Sequence, residues 1–246
     1  MKLAGCTCLV TGASSGLGRA VAGELAARGL RPIVNGRDLR RTKAAALETG
    51  GRSLVADLAD VDGLAEVCAA VRDVDLLVLN AGVGSATPFA EIAPGRISEL
   101  VAVNLTAPMA LAREALPGML ARGRGRIVLV GSIAGHVGVR GEAVYSATKG
   151  GLVTFAESLQ QELRGSPVGV TLVSPGVVET PFFERRERPY ERGRPRPVSG
   201  EKVAKAIVRA VERDMDRVIV PGWLALPVWL HGVAPNLYRA AASRWG

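Results

Sequence analysis

The sequence predicts an α/β protein in which a doubly wound parallel sheet carries helices on both faces. Two observations predict this fold: short apolar runs that lack polar alternation, and amphipathic segments that separate the runs. Strands without polar alternation are buried on both faces, which is typical of parallel sheets with helical crossovers. A third observation is that glycine and polar residues follow the runs, as in ligand-binding α/β folds.

Seven apolar runs are predicted strands. They span residues 7–11, 32–35, 53–56, 76–79, 127–130, 168–173 and 218–220. In the first intervening segment Leu17, Val21 and Leu25 recur every four residues, as on one face of a helix, and Gly29 is a suitable helix stop. A length of 246 residues is ordinary for one α/β domain, so we predict a single domain over 1–246.

Composition narrows the functional classes. The net charge is +8, but the arginines are spread along the whole chain. No zinc-ligand spacing, aromatic sheet signature or basic helix accompanies them. We therefore predict no nucleic-acid partner and interpret the basic surface as suited to anionic ligands.

The cysteines are too few for a disulfide framework. Cys6, Cys8 and Cys68 also lack enough companion ligands for a metal, since the chain has only two histidines. We predict small buried cysteines, no metal, and a reducing cytoplasmic compartment. The first ten residues are too short for a signal peptide. The apolar stretch 218–233 is shorter than the roughly 20 residues that cross a bilayer, so any membrane contact is predicted to be peripheral.

The residues that depart from ordinary core composition fall directly after the predicted strands. They are Thr11-Gly12, Gly36-Arg37, Asp57-Leu58, Asn80-Ala81-Gly82, Gly131-Ser132 and Ser174-Pro175-Gly176. In a parallel sheet these points lie together, outside the carboxyl ends of the strands, where open α/β folds bind ligands. The pattern predicts one large, elongated ligand.

The segment after the first strand is a glycine-rich turn that opens a helix. Its candidate ligand contacts are Gly12, Ser14, Ser15, Gly16, Leu17 and Gly18. Glycines let the backbone approach a diphosphate, and a helix N-terminus presents N–H groups and a positive dipole end to its charge. We therefore predict a dinucleotide cofactor on a Rossmann-like fold.

The glycine spacing, three residues and then one, resembles the TGxxxGxG motif of the short-chain dehydrogenase/reductase family. The resemblance covers about residues 5–180 in the family's order, and it is carried by Asp57, Asn80-Ala81-Gly82, the Tyr145 and Lys149 pair, and Pro175-Gly176. Leu79 departs from it, where many members carry a second Asn. The resemblance implies an oxidoreductase whose cofactor contacts include Asp57, Leu58, Asn80, Ala81 and Gly82.

Tyr145 and Lys149 lie four residues apart, on one face of a predicted helix, and Ser132 follows the fifth strand. Hydride transfer to a carbonyl leaves an alkoxide that needs a proton. A free tyrosine has a pKa of about 10, and a neighbouring ammonium lowers it. We expect Lys149 to lower the pKa of Tyr145, Tyr145 to transfer the proton, and Ser132 to hydrogen-bond the reacting oxygen.

The resemblance implies the same roles and adds further ones. It implies that Lys149 also binds the nicotinamide ribose and that Asn104 completes a catalytic tetrad by positioning a relay water. In the element that begins at Pro175, Val178 and Thr180 are implied to lie against the nicotinamide carboxamide. Family members are commonly homodimers or homotetramers joined through long helices, here about 94–122 and 143–164, so we predict a homo-oligomer.

The cofactor preference is predicted from the end of the second strand. Folds that prefer NAD place an acid there for the ribose hydroxyl, whereas an arginine accommodates a 2′-phosphate. Gly36 occupies the position of that acid, and Arg37 follows it. Because a guanidinium pairs well with phosphate, we predict NADPH over NADH. The adjacent Asp38 is the acid that opposes this preference.

The shared pattern ends after Thr180. Phe182 and Phe183 precede a segment rich in Arg, Pro and Glu over 184–197, within a predicted substrate loop at about 181–200. Two interpretations stand: recognition of an apolar substrate with an anionic group, such as an acyl thioester or lipid-like ketone, or a mobile solvated lid. His136 either lines the pocket or lies in a surface loop.

The apolar tail at about 218–246 has three interpretations: core packing, a subunit interface, or docking on a membrane or hydrophobic substrate. Its apolar residues include Trp223, Leu224, Leu226, Val228, Trp229 and Leu230. We favour hydride transfer between NADPH and a carbonyl or alcohol. The alternatives are an epimerase or dehydratase that uses the same site, and a non-catalytic dinucleotide sensor. The complete set of Asn104, Ser132, Tyr145 and Lys149 opposes the sensor, which needs none of that chemistry.

Overall fold

The structure, a computed structural model, describes residues 1–186 and 195–242. Its strands are β1 Cys8–Val10, β2 Ile33–Gly36, β3 Arg52–Val55, β4 Leu76–Leu79, β5 Gly125–Val130, β6 Val168–Pro175, β7 Val178–Glu179, β8 Val198–Ser199 and β9 Arg217–Val220. Seven of them form one parallel sheet in the order β3-β2-β1-β4-β5-β6-β9, and β7 pairs with β8. All seven predicted strands are confirmed.

The helices alternate with these strands along the chain. They are α1 Gly16–Ala26, α2 Leu39–Glu48, α3 Val61–Val71, α4 Pro94–Val101, α5 Ala107–Ala121, α6 Ala143–Glu162, α7 Gly200–Glu212, α8 Ala225–Val233 and α9 Pro235–Ala242. A π-helical turn, Ala102–Thr106, joins α4 to α5 without a break in the helical path. The two predicted long helices are therefore confirmed, the first of them with this interruption.

The strand order explains where a cleft opens. From β1 the sheet grows through β2 and β3 in one direction and through β4, β5 and β6 in the other. The loops after β1 and β4 therefore diverge, and the crevice between them is where open α/β sheets bind ligands. The parallel register of Val10 with Val78 brings the ends of these two strands to the same level.

Alternate residues of each central strand enter two separate core layers. Val10, Val78 and Val128 pack with side chains of α1 and α7 on one face of the sheet. Leu77 and Leu129, which neighbour two of them, pack with α3, α5 and α6 on the other face. Each fully buried side chain of this size contributes about 1.5–3 kcal/mol relative to exposure. A slip of one residue would exchange the two faces, so the packing determines the strand register.

The fold also bears on the predictions about the cysteines and about membrane contact. The three cysteines carry free thiols, and burial raises the pKa of Cys8 to about 12, so it is a neutral core thiol. Cys6 and Cys68 are only partly buried. Within 1–186 and 195–242, no helix is both long and apolar enough to span a bilayer.

Candidate active site

A cavity of about 500 Å³ runs along the carboxyl ends of the strands. Nearly all the residues selected from the sequence line it, from the glycine-rich turn through Asp57 and Asn80 to Tyr145 and Thr180. Gly18 and Asn104 are the two that lie behind the wall, where they support it. The edge of the sheet therefore gathers residues that are far apart in the sequence, as the predicted elongated ligand requires.

The glycine-rich turn is shaped by close backbone contacts. Gly12 has a φ of +63°, and a Cβ there would lie 2.8 Å from the Cα of Ala81. A Cβ on Gly18 would overlap the carbonyl oxygen of Gly12 and the side-chain nitrogen of Asn80. The side chain of Ser15, which precedes α1, makes no capping hydrogen bond. The positive end of α1 is therefore available to an anion in the cleft.

Thr11 holds the two sides of the crevice together. Its Oγ1 accepts hydrogen bonds from the backbone N–H of Asn80 and of Ala81, both at 3.0 Å. The Asn80 side chain donates back to the Thr11 carbonyl at 3.0 Å. These bonds tie the end of β1 to the end of β4. Sequence reasoning noted Thr11 but assigned it no role, and the signal was a buried hydroxyl directly before the glycines.

The end of β2 leaves no room for an acidic side chain. A Cβ on Gly36 would lie 2.7 Å from Thr42 Oγ1 and 2.8 Å from Ser14 Cβ. Arg37 stands at the rim, 57% exposed, with Nη1 3.8 Å from an Asp57 carboxylate oxygen. Asp38, the acid that opposed the predicted preference, instead accepts a hydrogen bond from the Arg41 N–H as the N-cap of α2.

A second cation approaches the same region from the other side of the cleft. Arg185 lies in the predicted substrate loop, and its Nη2 donates to Ser15 Oγ at 3.3 Å. Burial, and then the charges of Arg41 and Arg37, lower the pKa of Arg185, while Glu184 and Asp38 oppose this. Sequence reasoning missed Arg185, because one arginine among six in the 184–197 segment carried no distinguishing signal.

Ser132, Tyr145 and Lys149 converge on one wall of the cavity. Ser132 follows β5 and begins a 3-10 turn, whereas Tyr145 and Lys149 lie one turn apart on α6. All three side chains are buried. The Ser132 side chain acts on the Tyr145 hydroxyl in the direction that lowers its pKa. Lys149 Nζ donates to the Val130 carbonyl at 2.9 Å and lies 5.9 Å from the centroid of the Tyr145 ring.

The pKa of Tyr145 departs from expectation. Burial raises it to about 12; the Ser132 side chain opposes this, Glu142 adds to it, and Arg186 opposes it. Burial likewise lowers the pKa of Lys149 to about 8. The expectation that Lys149 lowers the pKa of Tyr145 is therefore wrong for this structure. The lysine directs its ammonium at a backbone carbonyl, and desolvation outweighs the other influences on the phenol.

Asn104 lies in the π-helical turn between α4 and α5 and is fully buried. Its Oδ1 accepts from the Val83 N–H at 2.8 Å, and its Nδ2 donates to the Val83 carbonyl at 2.8 Å and to Thr148 Oγ1 at 3.2 Å. A Cβ on Gly82 would lie 3.3 Å from Asn104 Oδ1 and 3.7 Å from Lys149 Nζ. Gly82 therefore keeps a space open between these two side chains.

Aromatic rings and a buried ion pair form the wall beyond Tyr145. The Phe182 ring lies 5.7 Å from the Tyr145 ring, and Phe183 packs edge-on against Phe182 at 5.4 Å. The Arg186 guanidinium lies 4.7 Å from the centroid of the Phe183 ring and forms an ion pair with Glu142, just before α6. Most of the Arg/Pro/Glu-rich segment, 187–194, lies outside the described residues, so its two interpretations stay open.

The C-terminal helices complete the cavity. Leu224, Pro227 and Tyr238 line it, and a Cβ on Gly176 would lie 2.6 Å from a methyl carbon of Leu224. Core packing of the tail is confirmed for Leu224, which is buried, but is wrong for Trp223, Leu226 and Trp229, which are exposed. A sequence pattern of apolar residues could not separate these outcomes.

His136 does not line the cavity and lies in the loop after β5. It is half-buried, and its Nε2 lies 2.8 Å from the hydroxyl of Ser174, a residue of β6. Burial, and then the charge of Arg217, lower the pKa of His136. An imidazole that joins the loop after β5 to β6 has a structural role, so the cavity-lining interpretation is wrong, whereas the position of His136 in a loop is as predicted.

Comparison with known proteins places this arrangement in a family. The family described as short chain dehydrogenase matches residues 6–191. An uncharacterized oxidoreductase of Myxococcus xanthus (strain DK1622) is 37% identical over 248 residues, which cover 97% of this chain and 96% of that protein. Ketoacyl reductase HetN of Nostoc sp. (strain PCC 7120 / SAG 25.82 / UTEX 2576) is 35% identical, over 89% of this chain and 79% of its own. The structure of a Sphingobium yanoikuyae short-chain dehydrogenase in complex with NADPH superposes with a TM-score of 0.84 at 29% identity, over 94% of this chain and 96% of that one.

Proposed function

This chain belongs to the short-chain dehydrogenase family of oxidoreductases, and we propose that it reduces an apolar ketone to an alcohol with NADPH. The observation that carries the proposal is the convergence of Ser132, Tyr145 and Lys149 in the same cavity as the glycine-rich turn. A general acid for the carbonyl oxygen thus stands within one cleft with a cradle for a dinucleotide.

The residues of the cleft fit a dinucleotide diphosphate. Gly12 and Gly16 have positive φ values, and the turn they form leaves the start of α1 uncapped by Ser15. A Cβ on Gly12 would clash with the Ala81 backbone, so glycine is needed for the turn to lie this close to the end of β4 while its N–H groups remain available to a diphosphate. NADPH bound here supplies the hydride that reduces the carbonyl carbon.

The protein supplies the proton. With a pKa of about 12, Tyr145 is protonated throughout the neutral range, so it is suited to donate its phenolic proton to the carbonyl oxygen as that oxygen becomes negative. Ser132 hydrogen-bonds the same oxygen and steadies the developing charge. The ketone gains a hydride at carbon and a proton at oxygen, and Tyr145 is left as a phenolate.

The phenolate regains its proton from the side of Lys149. The pKa of Lys149 is about 8, so this group exchanges protons readily near neutral pH. The space that Gly82 leaves between Lys149 and Asn104 is suited to a relay water, in line with the role that the family resemblance implies for Asn104.

The preference for NADPH rests on crowding and charge. The Gly36 position has no space for the acid that would bind a ribose 2′-hydroxyl, because Thr42 and Ser14 occupy it. Arg37 and Arg185 approach this region from the two sides of the cleft, and a 2′-phosphate would neutralise their mutual repulsion. The relative from Sphingobium yanoikuyae binds NADPH, which supports the same assignment.

The proposed substrate class is supported by the apolar wall of the cavity beyond Tyr145. Phe182, Phe183, Leu224, Pro227 and Tyr238 present apolar and aromatic surface to the cavity. An extended acyl or polycyclic ketone fits such a surface better than a small polar ketone does. The name of the Nostoc relative, a ketoacyl reductase, supports a carbonyl beside an acyl chain.

The proposed function is tested by a panel of ketones with NADPH, with nicotinamide absorbance and product identity followed together. We expect stoichiometric NADPH consumption and alcohol formation, with apolar ketones turned over faster than small polar ones. Product formed without net NADPH consumption would indicate an epimerase or dehydratase. NADPH binding without turnover of any ketone or alcohol would indicate a sensor.

The predicted homo-oligomer stays a proposal. Val101 in α4 and Met109 and Leu120 in α5 are exposed large apolar side chains on the long helical path. A second copy that covers this path would bury them. Light scattering of the full chain tests this proposal, and a monomeric mass at micromolar concentration would overturn it.

A further inference from the structure

The C-terminal helices carry a cluster of exposed apolar side chains that the fold does not use. We define the tail patch as Trp223, Leu226, Trp229, Val233 and Leu237, each between 59% and 68% exposed. Five of the thirteen exposed large apolar residues in the described chain thus fall within fifteen consecutive positions. Scattered exposed apolar residues are normal, whereas a cluster of them indicates a binding surface.

The helix that carries most of the tail patch has no buried residue. Leu226, Trp229 and Val233 lie three and four positions apart in α8, so they share one face of that helix. The His231 and Tyr238 rings pack edge-on at 5.1 Å, which joins α8 to α9. The pair of helices is therefore an ordered unit that presents an apolar face outward.

The charge and composition of the tail identify its partner. No Asp or Glu occurs after Asp216, whereas Arg239 and Arg244 do, and the whole chain carries +8. All three tryptophans of the chain also lie in the last 24 residues. Tryptophan and leucine on α8, together with Arg239 on α9 and no acid in either helix, suit the interface of an anionic bilayer.

We infer that the tail patch docks the protein on an anionic phospholipid surface. The helix α8 has nine residues, about 14 Å at 1.5 Å per residue, so it lies in the interface rather than crossing the bilayer. A second copy of the chain is a poorer occupant, because two facing tails would bring like charges together without acids to pair them.

The two helices that carry most of the tail patch also contribute to the wall of the active-site cavity. Pro227 and Tyr238 line the cavity, and each is the sequence neighbour of a tail-patch residue, Leu226 or Leu237. Docking would thus place two helices that line the cavity at the lipid interface, where apolar ketones dissolve. Delivery of substrate in this way rests on the proposed function, whereas the docking itself does not.

Sedimentation of the full chain with vesicles tests the inference. We expect the protein to sediment with vesicles of phosphatidylcholine and phosphatidylglycerol, far less with phosphatidylcholine alone, and less as salt is raised. The double variant Leu226→Ser/Trp229→Ser should bind on the order of a hundredfold more weakly, because two large side chains no longer enter the lipid. Arg239→Gln should weaken binding about fivefold.

A matched control tests whether vesicle binding depends on the tail patch or on any exposed apolar side chain. Leu47→Ser/Val61→Ser removes two side chains that are 84% and 81% exposed elsewhere, and vesicle binding should not change. Circular dichroism and NADPH affinity check that each variant is folded. Tyr145→Phe should bind vesicles like the unaltered chain. Vesicle binding is therefore tested independently of whether the proposed reaction takes place.

Three results would overturn the inference. They are an unaltered chain that stays in the supernatant with anionic vesicles, a tail-patch variant that binds as well as the unaltered chain, and equal losses in the tail-patch and control variants. A change from oligomer to monomer in the tail-patch variant, without vesicle binding by the unaltered chain, would assign the patch to a subunit interface instead.

Discussion

The two halves of the cleft are built by different kinds of contact. The half on β1, β2 and β4 is formed by contacts that involve the backbone, as where Gly12 lies against Ala81 and where the Thr11 hydroxyl accepts a hydrogen bond from the Asn80 N–H. The half formed by 180–186 and the C-terminal helices consists of side chains: aromatic rings packed at steep angles and the ion pair of Arg186 with Glu142. Backbone contacts accept few residue types, whereas side-chain walls can be exchanged. The half on β1, β2 and β4 thus suits a cofactor whose structure does not change, and the other half suits a substrate that differs between enzymes.

The largest loss of turnover is expected from a substitution at Tyr145, where the two halves of the cleft meet. Tyr145→Phe removes the proposed acid, so turnover should fall on the order of a thousandfold, within the range for general acid catalysis. The dissociation constant of NADPH should change less than about twofold, since the cofactor half is untouched. Steady-state kinetics and calorimetry measure the two quantities. Retention of a tenth of the turnover would require a different acid and would contradict the placement of the acid where the two halves of the cleft meet.

The rigidity of the cofactor half is tested by two alanines on the same helix. In Gly18→Ala the new Cβ overlaps Gly12 and Asn80, so the free energy of unfolding should fall by about 1–3 kcal/mol and NADPH affinity should fall with it. In the control Gly23→Ala, a Cβ meets nothing within 4 Å, and stability should rise by about 0.5–1 kcal/mol. Denaturant titration measures the change in the free energy of unfolding of each variant. Equal changes in the two variants would contradict the close backbone contact at Gly18.

One residue of the substrate half is expected to affect binding of the cofactor. Arg185 belongs to the substrate half but reaches Ser15 in the glycine-rich turn. Arg185→Ala and Arg37→Ala should each weaken NADPH binding about tenfold, because a charged contact to phosphate is lost, and leave NADH binding nearly unchanged. Arg40→Ala, an exposed neighbour, is the control. Equal losses for NADPH and NADH would show that these arginines do not read the 2′-phosphate.

The smallest effect concerns the charge around the phenol. Glu142 raises the pKa of Tyr145, so Glu142→Gln should lower it. Alcohol oxidation needs the phenolate, and its rate rises with pH toward the pKa of Tyr145. The rising limb of the pH profile for kcat should therefore move to lower pH in this variant. Glu157→Gln removes a carboxylate that pairs with Arg217 at the surface, and it should leave the profile in place.

Much of the fold and cofactor half could be predicted because the constraints there are local. The seven strands appear as apolar runs, and Leu17, Val21 and Leu25 repeat with the period of a helix. Glycines at 12, 16 and 18 mark a turn whose backbone must pass close to another chain segment. These signals come from neighbouring residues, so they survive in the sequence without knowledge of distant contacts.

The pKa values, the role of Arg185 and the exposure of the tail were decided by the tertiary structure alone. Desolvation of Tyr145 depends on Phe182 and on the wall around it, and no spacing on α6 reports how much water is excluded. Leu224 is buried while Leu226 is exposed, although both lie in one apolar run. Burial and electric field are sums over groups from many parts of the chain. They exist only once those parts have packed together.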